Sequence, residues 1–376
     1  MRFLTSGRSH GKALVGIIDG YPSGVKIDIS FINKELARRQ KGFGRGGRMD
    51  IEKDKADIIA GVNANISTGS PISFIIKNKD WKNWKNKKEG PLLNPRPGHA
   101  DFPGFLKYRL SSIRDVIERS SARETSARVA TGAFAKLFLA CLNIGIFSYV
   151  RSIGKASFAG SFKVKKDNYK LVEKSPVRCP DKETETKIIE EIKKAKKEGD
   201  TLGGSFKVIA KGLPPGIGNF IQWDSRLDSK IGEAFMSIPA IKAVEIGEGF
   251  RSGEIKGTEF HDEIHYNKNK GFYRKTNNAG GVEGGMSNGE DIVVGAVMKP
   301  IPTTRKGLKT VNISSKQADI SLKERSDVCA VPSASIVGEA MLAIVLSDFI
   351  QDKFGSDNIR EILENMDNYS KYYESI

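Results

Sequence analysis

The segment Arg119-Ser-Ser-Ala-Arg-Glu-Thr125 stands just ahead of the apolar run from Val129 to Val150. The run contains Lys136, Asn143 and two glycines, so it predicts a buried helix followed by a strand and not a membrane span. At the start of such a helix, free N–H groups, hydroxyls and guanidinium groups together favour a bound phosphate. The segment therefore predicts both a central part of the core and an anion site beside it.

The 376-residue chain is long enough for two or three ordinary domains or one large one. Its 39% of apolar residues provide a sizeable core. Lys and Arg outnumber Asp and Glu by 61 to 45, and the formal net charge of +16 attracts anions, whether nucleic acid, membrane surface or phosphorylated metabolite. The few aromatic residues are not interleaved with the basic runs, which weakens the hypothesis of single-strand binding.

The three cysteines, Cys141, Cys179 and Cys329, are odd in number and show no paired spacing. A disulfide framework or a zinc site is therefore not expected. The first residues, Met1 to Thr5, lack the layout of a signal peptide. We expect a cytoplasmic protein that spans no membrane.

Hydrophobic periodicity and capping residues predict several elements. These are strands at 12–18, 71–76, 206–211, 240–246 and 292–298, a helix from an Asp28 cap to about Arg39, a surface helix over 181–198 ended by Gly199, and a long helix over 332–354. The pattern by itself supports only a mixture of α and β structure. Glycine-rich loops occur in both halves, but this signal is too weak to predict a duplication.

Two histidines lie in loops with small neighbours, His10 in Gly7-Arg-Ser-His-Gly11 and His99 in Arg96-Pro-Gly-His-Ala-Asp-Phe-Pro103. Histidine is the side chain best suited to move a proton near neutral pH, although each ring could equally serve only its own loop. His261 and His265 are four residues apart, a spacing that could hold a metal on a helix. Their surroundings favour a loop instead.

The segment from Arg38 to Asp50 combines glycines with Arg38, Arg39, Arg45 and Arg48. Glycines let the backbone approach a ligand closely, and arginines bind carboxylate or phosphate. A nucleic-acid-binding loop would need the same residues, so the spacing alone leaves both interpretations open.

Three further segments have two interpretations each. Lys77 to Lys88 carries six lysines and two tryptophans; it is a solvated surface excursion, the favoured reading, or a basic lid over an anion. Gly280 to Gly289 precedes a strand and so differs from a dinucleotide fingerprint. Asp327, in Arg325-Ser-Asp327, is a candidate base or orienting group, and equally a cap of the following helix.

Seven segments in this order resemble the motifs of the chorismate synthase family, over Met1 to about Gly355. They are Gly7-Arg-Ser-His-Gly11, the 38–48 segment, Arg96-Pro-Gly-His-Ala-Asp101, Arg119-Ser-Ser-Ala-Arg-Glu-Thr125, Gly284-Gly-Met-Ser-Asn-Gly289, Lys299-Pro-Ile-Pro-Thr303 and Arg325-Ser-Asp327. The resemblance implies 1,4-anti-elimination of phosphate and a ring hydrogen from 5-enolpyruvylshikimate-3-phosphate (EPSP). It also implies a need for reduced FMN, which is thought to lend an electron and recover it.

The resemblance also implies roles for individual residues. His10 would protonate the departing phosphate, His99 would manage protonation at the flavin N1/C2 region, and Asp327 would assist proton removal at flavin N5. Substrate would be held by Ser9, Arg39, Arg45, Arg48, Arg96 and Arg123, of which Arg39 and Arg45 are also associated with NADPH. Flavin contacts would come from Arg119, Ser120, Ser121, Ala240, Gly284, Lys299, Pro300, Ile301, Pro302, Thr303 and Arg325. No metal is implied.

Two positions depart from the family pattern. Arg8 stands where Glu or Thr is usual, which adds a charge near the site, and Pro239 replaces an Asn, which puts a flavin contact in doubt. Neither changes the three proposed proton carriers.

The fold implied by the resemblance is a single α+β domain over 1–376, in which helices are layered between antiparallel sheets, with a surface helix near 181–198 and a C-terminal tail after 355. The family assembles as a homotetramer. With no reductase domain visible, dependence on an external flavin reductase is favoured over self-reduction with NADPH. A basic nucleic-acid-binding protein and a flavodoxin-like electron carrier are the alternatives, but neither accounts for His10, His99 and Asp327 together.

Overall fold

The computed structural model describes residues 1–46, 53–86, 90–160, 162–269, 271–322 and 327–376, with the side chains of 166 and 167 left aside. Two predicted site residues, Arg48 and Arg325, lie outside these ranges, as does the end of the lysine-rich segment at 87–89.

The first half of the chain forms a four-stranded antiparallel sheet and the helices beside it. The strands of this half are β1 (Arg2–Gly7), β2 (Ala13–Asp19), β3 (Ala56–Ala60), β4 (Val62–Asn63), β5 (Ile66–Ser67) and β6 (Ile72–Lys77). Of these, β4 and β5 form a separate hairpin and the other four form the sheet. Its helices are α1 (Ile29–Gln40), α2 (Trp81–Trp84), α3 (Asp101–Tyr108), α4 (Arg114–Ser120) and α5 (Thr125–Cys141), with a 3₁₀ turn (Ala122–Glu124) before α5. Asp28 caps α1 as predicted, by accepting hydrogen bonds from the N–H groups of Ser30 and Phe31.

The second half forms a five-stranded antiparallel sheet and several small hairpins. Its strands are β7 (Gly145–Ile153), β8 (Ala156–Ser157), β9 (Gly204–Lys211), β10 (Ile241–Ile246), β11 (Ile264–Asn267), β12 (Gly271–Arg274), β13 (Val282–Glu283), β14 (Met286–Ser287), β15 (Ile292–Met298), β16 (Lys309–Val311) and β17 (Ala318–Ile320). Its helices are α6 (Lys166–Lys174), α7 (Lys182–Glu198), α8 (Leu227–Met236), α9 (Gly257–Phe260), α10 (Val331–Phe354) and α11 (Ile359–Glu374), with 3₁₀ turns at Trp223–Ser225 and Gly249–Glu254.

The two halves repeat one topology, which the sequence patterns did not predict. The sheets have the orders β1-β2-β6-β3 and β7-β9-β15-β10, with β8 added beside β7. Their registers agree as well, since Ile18 lies opposite Ile72 in one sheet and Ala210 lies opposite Ile292 in the other. Each half then ends in a long buried helix, α5 or α10.

Hydrogen bonds reproduce the repeat at the level of single atoms. Ser67 Oγ donates to the carbonyl of Pro22 (2.6 Å) and accepts from the N–H of Val25 (2.9 Å). Ser287 Oγ makes the same two bonds, at 2.6 and 2.9 Å, with the carbonyl of Pro214 and the N–H of Ile217. Both serines follow a two-residue hairpin turn with positive φ at each turn residue, Ala64-Asn65 and Gly284-Gly285, as a type I′ turn requires.

The core lies where the long helices contact the two sheets and one another. Helix α5 contacts β2 of the first sheet, α10 contacts β7 and β9 of the second, and α5, α10 and α1 pack on one another. Gly132 of α5 permits this closeness, because a Cβ there would lie 2.4 Å from the Cα of Ala340 on α10. These contacts confirm a mixed α+β fold.

A buried ion network joins the same helices. Glu339 of α10 accepts hydrogen bonds from Arg38 of α1 (2.8 Å) and Lys136 of α5 (2.5 Å), and Arg178 lies 3.3 Å away. Burial raises the pKa of Glu339, but these three cations outweigh it and hold the pKa well below its usual range. The network fixes the end of α1, and therefore the position of the next residue, Arg39.

The predicted surface helix and the C-terminal segment both have structural roles. Asp181 caps α7 through the N–H of Thr184, and Gly199 ends the helix with φ +69°, as predicted. The segment after Gly355, expected as a tail, forms α11, whose Ile359 and Ile362 are buried.

Among the described residues, Val331–Phe354 (α10) has the length and apolar character of a membrane-spanning helix, but 89% of its most apolar window is buried inside the protein. The central helix of a folded core has the same properties.

Candidate active site

His10 lies in the loop between β1 and β2, where α4 supplies its partner. Its Nδ1 is 2.7 Å from Glu118 Oε1, and its backbone N–H donates to Glu118 Oε2, also at 2.7 Å. The ring of Trp84 packs against the imidazole with 3.8 Å between ring centroids. The imidazole is 14% exposed and the Glu118 side chain 4%. A carboxylate and an indole therefore fix the ring while leaving part of it accessible.

Glu118 is an ionised partner. Burial raises its pKa, but the hydrogen bonds from the His10 ring and backbone outweigh burial and lower the pKa below its usual range. A carboxylate at neutral pH accepts hydrogen bonds only, so the contact favours a proton on Nδ1 of His10.

Trp84 also bears on the lysine-rich segment from Lys77 to Lys88. The favoured expectation was a solvated excursion, but this segment carries a side chain that packs on His10. Lys77 itself is exposed and pairs with Asp57. The contact supports the alternative, in which part of the segment covers the site.

His99 lies in a turn that ends at the start of α3 and also contacts a buried carboxylate. Its Nδ1 is 2.6 Å from Asp101 Oδ1. Asp101 is fully buried and also accepts from Arg96, at 2.8 Å from Nε and 3.0 Å from Nη2. Burial raises the pKa of Asp101, but the bonds from His99 and Arg96 hold it well below its usual range. Arg96 continues to the second half of the chain through Thr303 Oγ1 (3.0 Å).

Arg39 and Arg123, both predicted to bind substrate anions, share one carboxylate. Asp54 accepts from Arg39 Nη2 at 3.0 Å and from Arg123 Nη1 at 2.8 and 2.9 Å. All three side chains are almost fully buried. Burial, together with the nearby Arg45 and Arg123, lowers the pKa of Arg39 despite the opposing effect of Asp54. Within the described ranges, the two buried guanidinium groups therefore share the carboxylate of Asp54.

Asp327 joins the arginine-rich loop and does not cap the following helix. Its Oδ1 accepts from the N–H of Gly46 at 2.6 Å, and its Oδ2 lies 2.9 Å from Arg45 Nη1. Helix α10 begins at Val331 without a side-chain cap. The cap alternative for Asp327 is therefore wrong.

Two short connections link these groups into one region. Ser9 Oγ donates to Ser121 Oγ at 3.1 Å, and Ser121 Oγ accepts from the N–H of Arg123 at 3.3 Å, which joins the His10 loop to the arginine pair. On the other side, Thr201 Oγ1 donates to the carbonyl of Ile301 (2.8 Å), and the next residue, Leu202, donates its N–H to the carbonyl of Val328. The region therefore draws on both halves of the chain.

The predicted flavin contacts fall into two groups. Lys299 and Thr303 reach the His99 region, because the Lys299 ammonium donates to the carbonyl of Gly98 and Thr303 accepts from Arg96. The carbonyl of Ile301, between them, accepts from Thr201 Oγ1. Ala240 joins them, since its carbonyl accepts from the N–H of Lys299 at 3.0 Å. Pro300 and Pro302 lie in the same stretch between β15 and β16.

The second group uses its polar atoms locally. Arg119 donates to the carbonyl and hydroxyl of Thr5, and Ser120 Oγ donates to the carbonyl of Val116 at 2.6 Å. Gly284 lies in the β13–β14 turn, where its neighbour Gly285 accepts from the N–H of Asn219 and of Leu227. Within the described ranges, no hydrogen bond connects Gly284 to the histidines or to the arginine pair.

The two departures from the family pattern have local explanations. Pro239 and Ala240 occupy the centre of a turn closed by the N–H of Ile241 on the carbonyl of Ile238 (3.2 Å), with φ +69° at Ala240. Proline followed by positive φ is the arrangement of a type II turn, so Pro239 stabilises the turn that presents Ala240. Arg8 pairs with the exposed Asp115 at 2.8 Å, on the outer side of α4.

Four important residues were missed by sequence reasoning: Asp54, Trp84, Asp101 and Glu118. Asp101 and Glu118 stand inside or next to segments that were singled out, but a carboxylate's partner cannot be read from spacing alone. Asp54 is 69 residues from Arg123, and Glu118 is 108 from His10.

The metal alternative for His261 and His265 lacks its required geometry. His265 lies on strand β11 and not on a helix. In the part of the chain that the structure describes, no three His, Cys, Asp or Glu side chains are grouped as a metal site. In the described part of the arginine-rich segment, up to Gly46, Arg38, Arg39 and Arg45 are mostly buried and paired with carboxylates and do not form an open basic surface.

Comparison with known proteins identifies the family of the chain. The family model for chorismate synthase matches residues 1–351. A chorismate synthase of Alkaliphilus metalliredigens (strain QYMF) is 51% identical over 377 residues, covering 98% of this chain and 99% of the relative. One of Caldanaerobacter subterraneus subsp. tengcongensis is 49% identical over 375 residues, covering all of both chains. A crystal structure of chorismate synthase has a TM-score of 0.82 and 40% identity, covering 100% of this chain and 98% of that one. The chain belongs to the chorismate synthase family.

Proposed function

We propose that this chain is a lyase that converts EPSP to chorismate by 1,4-anti-elimination of phosphate and a ring hydrogen, at the end of the shikimate pathway to aromatic amino acids. The observation that carries the proposal is a chain of hydrogen bonds from Ser9, the neighbour of the carboxylate-bound His10, through Ser121 to the backbone N–H of Arg123, whose guanidinium belongs to the buried arginine pair. Such a site combines a proton donor with anion binding, as phosphate elimination requires.

The polar groups of the region fit an anionic ligand. EPSP carries two carboxylates and a phosphate, and Arg39, Arg45 and Arg123 supply guanidinium groups for them. Among the residues that the structure describes, these three arginines pair with the carboxylates of Asp54 and Asp327. Within the described ranges, the buried Arg39 Nε and Thr304 Oγ1 have no hydrogen-bond partner. Buried donors without acceptors are costly, so an added anion would stabilise them.

The stretch from Lys299 to Thr303 and the Ala240 turn would hold FMN, together with Arg119, Ser120, Ser121 and Gly284. When bound, reduced FMN supplies an electron that it later recovers, which keeps the overall reaction redox-neutral. The Lys299 ammonium and the buried Arg96 lie beside His99 and suit a ligand that carries a phosphate or negative charge.

Three residues of the chain would hold or move protons. His10 would donate a proton to the phosphate oxygen as the C–O bond breaks. His99, held at Nδ1 by Asp101, would take up or release a proton at its other ring nitrogen, Nε2. Asp327 would accept a proton at a carboxylate oxygen that Gly46 and Arg45 keep in place.

The proposal extends to assembly, location and the source of electrons. We expect a single-domain sandwich of two sheets around the helical layer, assembled as a homotetramer in the cytoplasm. Exposed apolar side chains such as Leu4, Ile59 and Trp223 are compatible with subunit contacts. Reduction of FMN would come from an external flavin reductase, the electron source that the sequence favours.

The test is an anaerobic assay of the purified protein with EPSP and chemically reduced FMN. Chorismate and phosphate should form in equal amounts, and neither should form with oxidised FMN. Folded protein that releases no phosphate under these conditions would refute the proposal.

A further inference from the structure

Glu118 uses its whole carboxylate on a single residue. One oxygen lies 2.7 Å from Nδ1 of the His10 ring, and the other accepts the His10 backbone N–H at 2.7 Å. The side chain is 4% exposed and lies in the last turn of α4, a rigid element. The ring and the backbone of His10 are therefore fixed by the same group.

This contact determines where the ring proton resides. An ionised carboxylate only accepts hydrogen bonds, so Nδ1 must be the protonated nitrogen of a neutral ring. Nε2 is then the nitrogen left to exchange a proton with a ligand. Trp84 packs on the face of the same ring and opposes its rotation.

We propose that Glu118 is a positioning residue for the elimination, which keeps the proton on Nδ1 of His10 and presents Nε2 to the leaving phosphate. In the step, the Nε2 proton of the imidazolium passes to the phosphate oxygen as the carbon–oxygen bond breaks. The ring becomes neutral, with its Nδ1–H still donated to Glu118, and solvent later restores the Nε2 proton. The inference rests on the proposed function, because it needs His10 as the proton donor.

The negative charge of Glu118 has a second effect. A hydrogen bond to an ionised carboxylate is stronger than one to a neutral acceptor, so Glu118 holds the ring more firmly than an amide would. The nearest cation on the same helix, Arg114, lies 4.0 Å from the carboxylate, and Arg8 lies farther out in its pair with Asp115. Neither replaces the direct contact with His10.

The test compares Glu118→Gln with a control on the same helix. Asp115→Asn makes the same chemical change one turn earlier, at an exposed carboxylate. In the full-length protein, ¹⁵N NMR of the His10 ring, assigned with His10→Ala, reports which nitrogen is protonated when the ring is neutral. We expect Nδ1–H in the wild type and in Asp115→Asn, and a mixture of tautomers in Glu118→Gln.

The kinetic readout separates positioning from a general structural role. We expect Glu118→Gln to lower kcat by up to about 10⁴-fold, the loss found when a carboxylate that orients a catalytic histidine becomes an amide, with little change in EPSP affinity. Glu118→Asp keeps the charge and should recover the Nδ1–H tautomer and part of kcat. If Glu118→Gln does not fold, the tautomer and kcat of Glu118→Asp still test the proposal.

Two results would overturn the inference. One is a wild-type His10 that carries its proton on Nε2, and the other is a Glu118→Gln variant with unchanged tautomer and kcat. If the wild type forms no chorismate, the proposed function fails, whereas the NMR result still reports separately whether Glu118 orients the ring.

Discussion

The two histidines of the site are held by carboxylates in different ways. Glu118 gives both oxygens to His10. Asp101 is divided between His99 and Arg96, and Arg96 makes more of the contacts. A histidine without its carboxylate can remain neutral, but a buried guanidinium cannot lose its charge. Glu118 should therefore act mainly on chemistry, and Asp101 on chemistry and stability together.

Removing the histidines themselves should have the largest effect. His10→Ala and His99→Ala should each lower turnover about 10²- to 10⁴-fold, the range for a lost proton carrier. The measurement is anaerobic chorismate formation with reduced FMN, alongside EPSP affinity. The exposed His261→Ala is the matched control and should be unchanged. Wild-type turnover in either variant would remove that histidine from the mechanism.

Removing the carboxylate of each pair should lower the free energy of unfolding by different amounts. Asp101→Asn removes the carboxylate charge that accepts two hydrogen bonds from the buried guanidinium of Arg96, and should lower the free energy of unfolding by about 3–5 kcal/mol. Glu118→Gln weakens only the hydrogen bonds to a histidine that can be neutral, and should lower the free energy of unfolding by about 1–3 kcal/mol. Urea unfolding at pH 7 measures both. Equal losses would contradict the distinction between a shared and a dedicated carboxylate.

The pH dependence of these losses in unfolding free energy should be the smallest effect. The pKa values of Asp101 and Glu118 are lowered in the folded protein, from ordinary values of 3.8 and 4.5. As pH falls below those values, the unfolded chain takes up protons first, so the stabilisation is present at neutral pH and is lost in acid.

The difference in unfolding free energy between wild type and Asp101→Asn should therefore stay constant between about pH 7 and pH 5 and shrink below about pH 4. Urea titrations at several pH values test this. A difference that grows in acid would show that the sign of the pKa shift is wrong.

Local sequence signals predicted the helices and strands better than they predicted the tertiary contacts between them. The Asp28 cap, the Gly199 stop and the long helix ended by Gly355 were all found, because capping and hydrophobic period act within a few residues. The duplication was missed, since Ser67 and Ser287 keep their bonds while most residues around them differ.

Within the site, the sequence predicted the residues that belong to recognisable ligand-binding motifs. His10, Arg39 and Arg123 were identified from their segments, whereas Asp54 was not, because its partners are distant in the chain and it carries no motif of its own. Trp84 was assigned to a solvated segment, since a charged run does not reveal what lies beneath it. Long-range packing decides these contacts.

A crystal structure of the protein with oxidised FMN and EPSP tests the central claim most directly. The account predicts the EPSP phosphate within hydrogen-bond distance of Nε2 of His10, about 2.6–3.2 Å, with its carboxylates on Arg39 or Arg123. EPSP bound with its phosphate away from His10, or outside the region between the two histidines, would contradict it.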